Sequence, residues 1–128
     1  MSLDKNKPSQ IINNNKIVKL TKTDEFSSVF SFRKRISSEH LAIHYQPNYK
    51  ESPRLGLVVT KKIAKLAVHR NYMRRVLREL FKKNRHLLPS FDFVVRVQIF
   101  FTHADFIKIE KDFSQITLKF QKMTANKD

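Results

Sequence analysis

The sequence predicts an α+β fold in which one sheet is covered by helices within a single compact domain. Segments whose apolar residues recur at three and four alternate with segments whose side chains alternate singly, in the order helix, two or three strands, helix, strand, helix. Turn and stop signals at Pro47-Asn48, Ser52-Pro53 and Pro89 fall between those segments. The chain of 128 residues suits one core, since domains of about 100 to 150 residues are the commonest.

Residues 1–18, with Asn13-Asn14-Asn15 and scattered Lys, hold too few apolar side chains to offset ordering entropy and are read as an N-terminal tail. The domain is expected over 19–123, with a short tail at 124–128. Thr21-x-x-Asp24 resembles a capping signal, and Phe26, Val29 and Phe30 then recur at three and four, which predicts a helix from Lys22 to about Ser31. From Ser37 to Tyr45, Leu41, Ile43 and Tyr45 alternate with Ala42 and His44, the pattern of a strand or hairpin arm. Arg54 to Thr60 is a second strand, with Leu55, Leu57 and Val59 on one side and the chain's one glycine, Gly56, on the other. A glycine there marks a bulge or a close backbone approach. A long helix is expected from about Val68 to Leu88, because Pro89 restricts the residue before it and cannot continue the helix. Phe91 to Phe101 is apolar and β-branched, interrupted by Arg96, and Asp105 to Lys122 closes the chain as a helix repeating Ile109, Phe113, Ile116 and Phe120.

The long helix and the loop before it carry the charge. Between Lys61 and Arg85, ten Lys and Arg face one acid, Glu79, so +9 of the chain's +15 lies in 25 residues. At 100° per residue Arg70, Arg74, Arg78, Lys82 and Arg85 share one face, while Tyr72, Met73, Val76, Leu77 and Leu80 take the other. Like charges four apart repel by a few tenths of a kcal/mol per pair. A polyanionic partner explains the stripe; a solvated charged face is the alternative. The pI of about 10.3 fits a nucleic-acid binder. A membrane-surface helix would be a largely isolated amphipathic segment, whereas this one sits between strands. No run of apolar residues is long enough to span a bilayer, and neither secretion nor a membrane span is expected. With no Cys, disulfides and thiol chemistry are excluded and a reducing cytoplasm is the expected location.

Arg54-Leu55-Gly56-Leu57-Val58-Val59-Thr60-Lys61-Lys62, followed by Arg70-Asn71-Tyr72-Met73-Arg74-Arg75-Val76-Leu77-Arg78-Glu79, closely resembles the bacterial ribonuclease P protein subunit. The likeness runs upstream through Glu25-Phe26-x-x-Val29-Phe30 and Arg33-Lys34-Arg35, and downstream through Phe91-Asp92-Phe93-Val94-Val95 and the last helix. It implies a four-stranded sheet with three helices and a left-handed crossover in a βαβ unit, like the second domain of a ribosomal protein. It also implies an RNA-binding α/β sandwich that helps a catalytic RNA remove the 5′ leader of precursor tRNA, the protein itself holding no catalytic residue. The implied partners are that RNA and precursor tRNA, with no membrane and no obligate protein partner.

Carried over by the resemblance, Lys61, Lys62, Lys65, Arg70, Asn71, Arg74, Arg75 and Arg78 become catalytic-RNA contacts. Phe26, Phe30, Arg33, Lys34, Arg35 and His44 become positions of a groove for the leader. Helical spacing alone leaves Phe26 and Phe30 open between core and groove. The chain departs from the family pattern at Tyr72, where an arginine ends the Arg-Asn-Arg signature, at Ala64, and near Phe32, where glycines are common.

No metal site is expected on the protein. His40 and His44, four apart on a strand, lie about 13 Å from one another, and the eleven acids are dispersed, unlike the clustered carboxylates of protein nucleases. Mg²⁺ is expected to be held mainly by the RNA component, through phosphate oxygens. The rivals are a ribosomal or assembly protein, a regulator laying the basic helix in duplex DNA, and a free-standing nuclease.

Overall fold

The computed structural model describes residues 17–125; the tail expectations for 1–16 and 126–128 fall outside them. The order is β1 (Val18–Lys19), α1 (Thr23–Phe32), β2 (Arg35–Ser37), β3 (Leu41–Pro47), β4 (Arg54–Val58), α2 (Ala67–Asn84), a 3₁₀ turn (Arg85–Leu87), β5 (Phe91–Val97), a second 3₁₀ turn (His103–Asp105) and α3 (Phe106–Ala125). The sheet runs β1-β4-β5-β3-β2, with β1, β4 and β5 parallel and β3 and β2 antiparallel.

Five strands replace the four expected. The additional one, β1, is two residues long and pairs Val18 with Arg54 and Lys19 with Leu55, so Val18 belongs to the sheet rather than to a tail. At the other end, α3 continues through Thr124 and Ala125. Of the strand and the hairpin arm read from Ser37 to Tyr45, the structure has the arm: β3 begins at Leu41 and pairs with β2, Arg35 facing His44 and Ser37 facing Ala42. Pro47, expected in a turn, ends β3 opposite Phe91, as an X–Pro residue can at a strand terminus. β5 stops at Val97, four residues early, where the Gln98 N–H donates to the His40 carbonyl at 2.7 Å. The last turn of the expected basic helix tightens to 3₁₀ before Pro89.

Paired residues project to the same side of a sheet, and this register divides the core in two. Leu41, Ile43, Tyr45, Leu55, Phe93, Val95 and Val97 pack under α2 and α3, meeting Met73, Leu77, Leu80, Phe81, Ile109, Phe113, Ile116 and Phe120. Each such buried side chain contributes about 1.5 to 3 kcal/mol, so this layer carries most of the stability. Among the described residues, the opposite face is covered by α1, over a small cluster of Leu20, Val29 and Val94 with Phe26 and Val58 packed against it.

α1 starts two residues beyond the expected cap. Instead of Thr21 capping through Asp24, the Glu25 carboxylate reaches back to accept from the Thr21 and Lys22 N–H groups at 2.9 and 3.1 Å. Those two bonds, Lys22 first, and then the Arg54 charge hold the Glu25 carboxyl down at about 2. The helix ends at Arg33, whose φ of 62° is left-handed, with its N–H on the Phe30 carbonyl at 3.1 Å. The glycine missing near Phe32 therefore leaves an arginine in a conformation that glycine adopts freely.

Arg54 fastens α1 and β4 to β5. Its Nε and Nη2 donate to the two Asp92 oxygens, each at 2.8 Å, and Nη1 donates to Glu25 Oε2 at 3.1 Å. The bidentate bond to Asp92 is the main reason the guanidinium holds its proton even more firmly than usual.

Candidate nucleic-acid interface

The basic loop is shaped by a turn in which the Thr60 carbonyl accepts from the Ile63 and Ala64 N–H groups, both at 3.1 Å. Ala64 is buried while Lys61, Lys62 and Lys65 stand exposed around it. Arg70 Nη1 donates to the Ala64 carbonyl at 2.9 Å and to the Lys65 carbonyl at 2.8 Å, pinning the loop to the first turns of α2. Arg74 reaches the Val59 carbonyl through Nη2 and Asn71 Oδ1 through Nη1, both at 3.4 Å. The expectation that this face only awaits anions needs correction: Arg70 and Arg74 also hold the loop that presents the lysines. A guanidinium has five N–H donors, so each keeps some for a phosphate.

Asn71 and Arg75 are exposed, and Arg78 is half-buried. Toward the C-terminal end of α2 the cations differ: Lys82 of the stripe pairs with Glu79 at 3.5 Å, and its neighbour Lys83 with Glu110 at 2.9 Å. The core side is as expected, with Met73, Val76, Leu77 and Leu80 buried and Phe81 added, except that Tyr72 is only half-buried, beside Phe101 and His103.

On the sheet face under α1, the two alternatives for the rings separate. Phe26 joins the small core, lying over Gly56, where an added Cβ would come within 2.6 Å of its ring. It also lines a cavity of about 180 Å³ with Lys19, Gly56, Arg74 and Arg78. Phe30 is 37% exposed and stands edge-on to His44, ring centroids 4.7 Å apart. Val29, between them in sequence, is the fully buried residue.

The register then sets a row Arg35–His44–Val94–Gly56 beside a row Ser37–Ala42–Arg96–Val58. Burial, then the charges of Arg96 and Arg35, push the His44 imidazole below its usual range, and its Nε2 is buried without a hydrogen-bond partner. Arg33 and Lys34 are exposed on the turn between α1 and β2. Arg96 is the residue that sequence reasoning passed over, noted only as a charged break in a strand. Counting by two from Asp92 and Val94 places it on the α1 side. Lys19 was missed because it lies on a strand too short to give any pattern.

The two predicted sets thus meet along one line. Arg74 and Arg78 of α2 border the cavity at Phe26, and the Phe30–His44 pair with Arg35 and Arg96 continues across the sheet. Among the described residues, no three His, Asp or Glu stand close enough to hold a metal ion, and no helix is long and apolar enough to cross a membrane.

Comparison with known proteins agrees with this geometry. Residues 15–121 match the family model described as Ribonuclease P. The chain is similar to the ribonuclease P protein component of an Azoarcus species, 43% identical over 98 residues that cover 77% of this chain and 82% of that protein. It is similar to that of Chromobacterium violaceum, 49% identical over 84 residues covering 66% and 69%. Among solved structures, it is similar to the RNase P protein from Thermotoga maritima, with a TM-score of 0.60, 26% identity, and 81% and 96% of the two chains covered. The Staphylococcus aureus RNase P protein shares the fold at a TM-score of 0.60 and 21% identity. With an RNA-suited basic face beside an aromatic-lined sheet, and with a family match over most of its length, this chain belongs to the ribonuclease P protein family.

Proposed function

We propose that the chain is the protein subunit of ribonuclease P, docking a catalytic RNA on the Lys61–Arg78 surface and receiving the 5′ leader of precursor tRNA on the sheet face beneath α1. The observation that carries this reading is the continuity of the two surfaces through the cavity shared by Phe26, Arg74 and Arg78. RNA and substrate are both polyanions, and a protein of charge +15 between them lowers the salt and Mg²⁺ needed for their association. Lys61, Lys62, Lys65, Arg70, Asn71, Arg74, Arg75 and Arg78 take the RNA phosphates; Arginine does so with a planar fork that matches two oxygens.

For the leader, the half-exposed Phe30 ring gives an unpaired base a stacking surface that does not discriminate by sequence. Arg33, Lys34, Arg35 and Arg96 track its phosphates, and Phe26 and His44 floor the groove. In this reading Mg²⁺ is held by the RNA, hydrolysis occurs there, and the protein binds and positions. The left-handed sense of the β4–α2–β5 crossover, the likeness to a ribosomal-protein domain and a cytoplasmic location belong to the same proposal.

The test is cleavage of precursor tRNA by the ribonuclease P RNA at low Mg²⁺, with and without the purified protein. Stimulation is expected with both present and no cleavage by the protein alone. A protein that cuts unaided, or that fails to stimulate the RNA, overturns the proposal.

A further inference from the structure

The other flank of α2 carries a cavity that the reading above leaves unused. It has a volume of about 480 Å³ and lies between Val68, His69, Tyr72 and Arg75 on α2 and Phe100 and His103 in the segment joining β5 to α3. That volume is within the range of about 300 to 1,000 Å³ typical of small-ligand sites. Two aromatic pairs form its walls. His69 stands edge-on to Phe100 with ring centroids 5.3 Å apart, and Tyr72 tilts against His103 at 4.3 Å. Val68 is 65% exposed and Phe100 36%, so apolar surface is presented to solvent beside the most cationic stretch of the chain. Arg75, at the rim, is exposed and makes no ion pair or side-chain hydrogen bond among the described residues.

Arg74 and Arg75 are adjacent in sequence yet border opposite flanks of α2, the first lining the Phe26 cavity and the second this one. An RNA lying along the exposed ridge of α2 reaches both. We propose that this cavity takes one unpaired nucleobase of the RNA partner, stacked on the Phe100 and Tyr72 rings, with its phosphate on Arg75. The proposal rests on the RNA-docking reading and adds a second place where a base is held. A nucleotide joins a flat π face to an anion in one unit, which is the combination these walls and this rim complement. The imidazoles of His69 and His103 can donate to or accept from a base edge. A second copy of the chain would bring +15 against +15, and charge disfavours it.

The experiment measures equilibrium binding of the ribonuclease P RNA of the same organism to the full chain and its variants over a salt series. Phe100→Ala should weaken binding by roughly 5- to 150-fold, the range for one stacked base, without changing the salt slope, and Phe100→Tyr should restore it. Arg75→Gln should lower the slope by about one unit or less. If Phe100→Ala folds and binds as tightly as the parent while Arg74→Ala is weakened, the base site is overturned and RNA docking stands. Should neither substitution matter, RNA docking on α2 falls as well. If Phe100→Ala does not fold, the exposed His69→Ala decides by the same criterion. Self-association of the parent that Phe100→Ala abolishes, with RNA affinity unchanged, would assign the cavity to a second copy and overturn the proposal.

Discussion

A methyl group at position 56 would lie 2.6 Å from Cε2 and 2.7 Å from Cζ of Phe26, closer than such atoms approach in proteins. Of the bulge and the close approach that a strand glycine predicts, the structure has the second, since Gly56 keeps its place opposite Val94 in an unbroken ladder. Gly56→Ala should therefore displace the Phe26 ring and cost about 1 to 3 kcal/mol in urea denaturation, the usual cost of overpacking. Adding Phe26→Leu should recover part of that loss. His44 permits a second prediction with a definite sign. Its proton affinity is lowered in the folded chain by burial, and then by Arg96 and Arg35. The unfolded chain therefore binds a proton that the folded chain refuses, so the contribution of His44 to stability is undiminished above about pH 6.5 and shrinks as pH falls toward its folded value. Thermal denaturation at pH 7.5 and 5.5 should show a larger acid loss for the parent than for His44→Gln; equal losses would refute the assignment.

At the scale of elements, α2 shows what periodicity can and cannot reveal. The spacing of Met73, Val76, Leu77 and Leu80 marked the buried side and Arg74 and Arg78 its half-buried shoulder, because both follow from 100° per residue. The return of Arg70 to the Ala64 and Lys65 carbonyls was not legible, because it depends on the path of the loop after Thr60, and no periodic signal describes a loop. β1 was invisible for another reason: two residues have no period, and its partner Arg54 lies 36 positions away. The ion pairs divide the cations of α2 in a way that can be measured. Lys83 is engaged with Glu110 while Arg74 faces the cavity with Phe26. Arg74→Ala should weaken RNA binding and lower the salt slope by about 0.7 to 0.9, the share of one phosphate. Lys83→Ala should leave the slope within error.

For the whole molecule, a polar assembly of Arg54 with Asp92 and Glu25 ties α1 to the sheet, helped by Asn48 Nδ2 donating to Asp92 at 2.9 Å. Asp92 is 4% exposed, so Asp92→Ala should strand a largely desolvated guanidinium and cost about 3 kcal/mol. Chemical denaturation would measure it, with loss of leader-dependent tRNA affinity preceding loss of RNA docking. Arg54 and Asp92 stood in the family-like segments, yet their partnership needed the parallel register of β4 and β5 to become visible. The split core carries a consequence for motion. α2 and α3 rest on a thick aromatic layer, whereas α1 buries one side chain completely, Val29 against Leu20 and Val94, and is held besides by that polar clasp. Backbone amides of α1 should exchange with deuterium well before those of α2 and α3, and in the proposed leader reading a wall so lightly held would widen or narrow to admit strands of unlike bases.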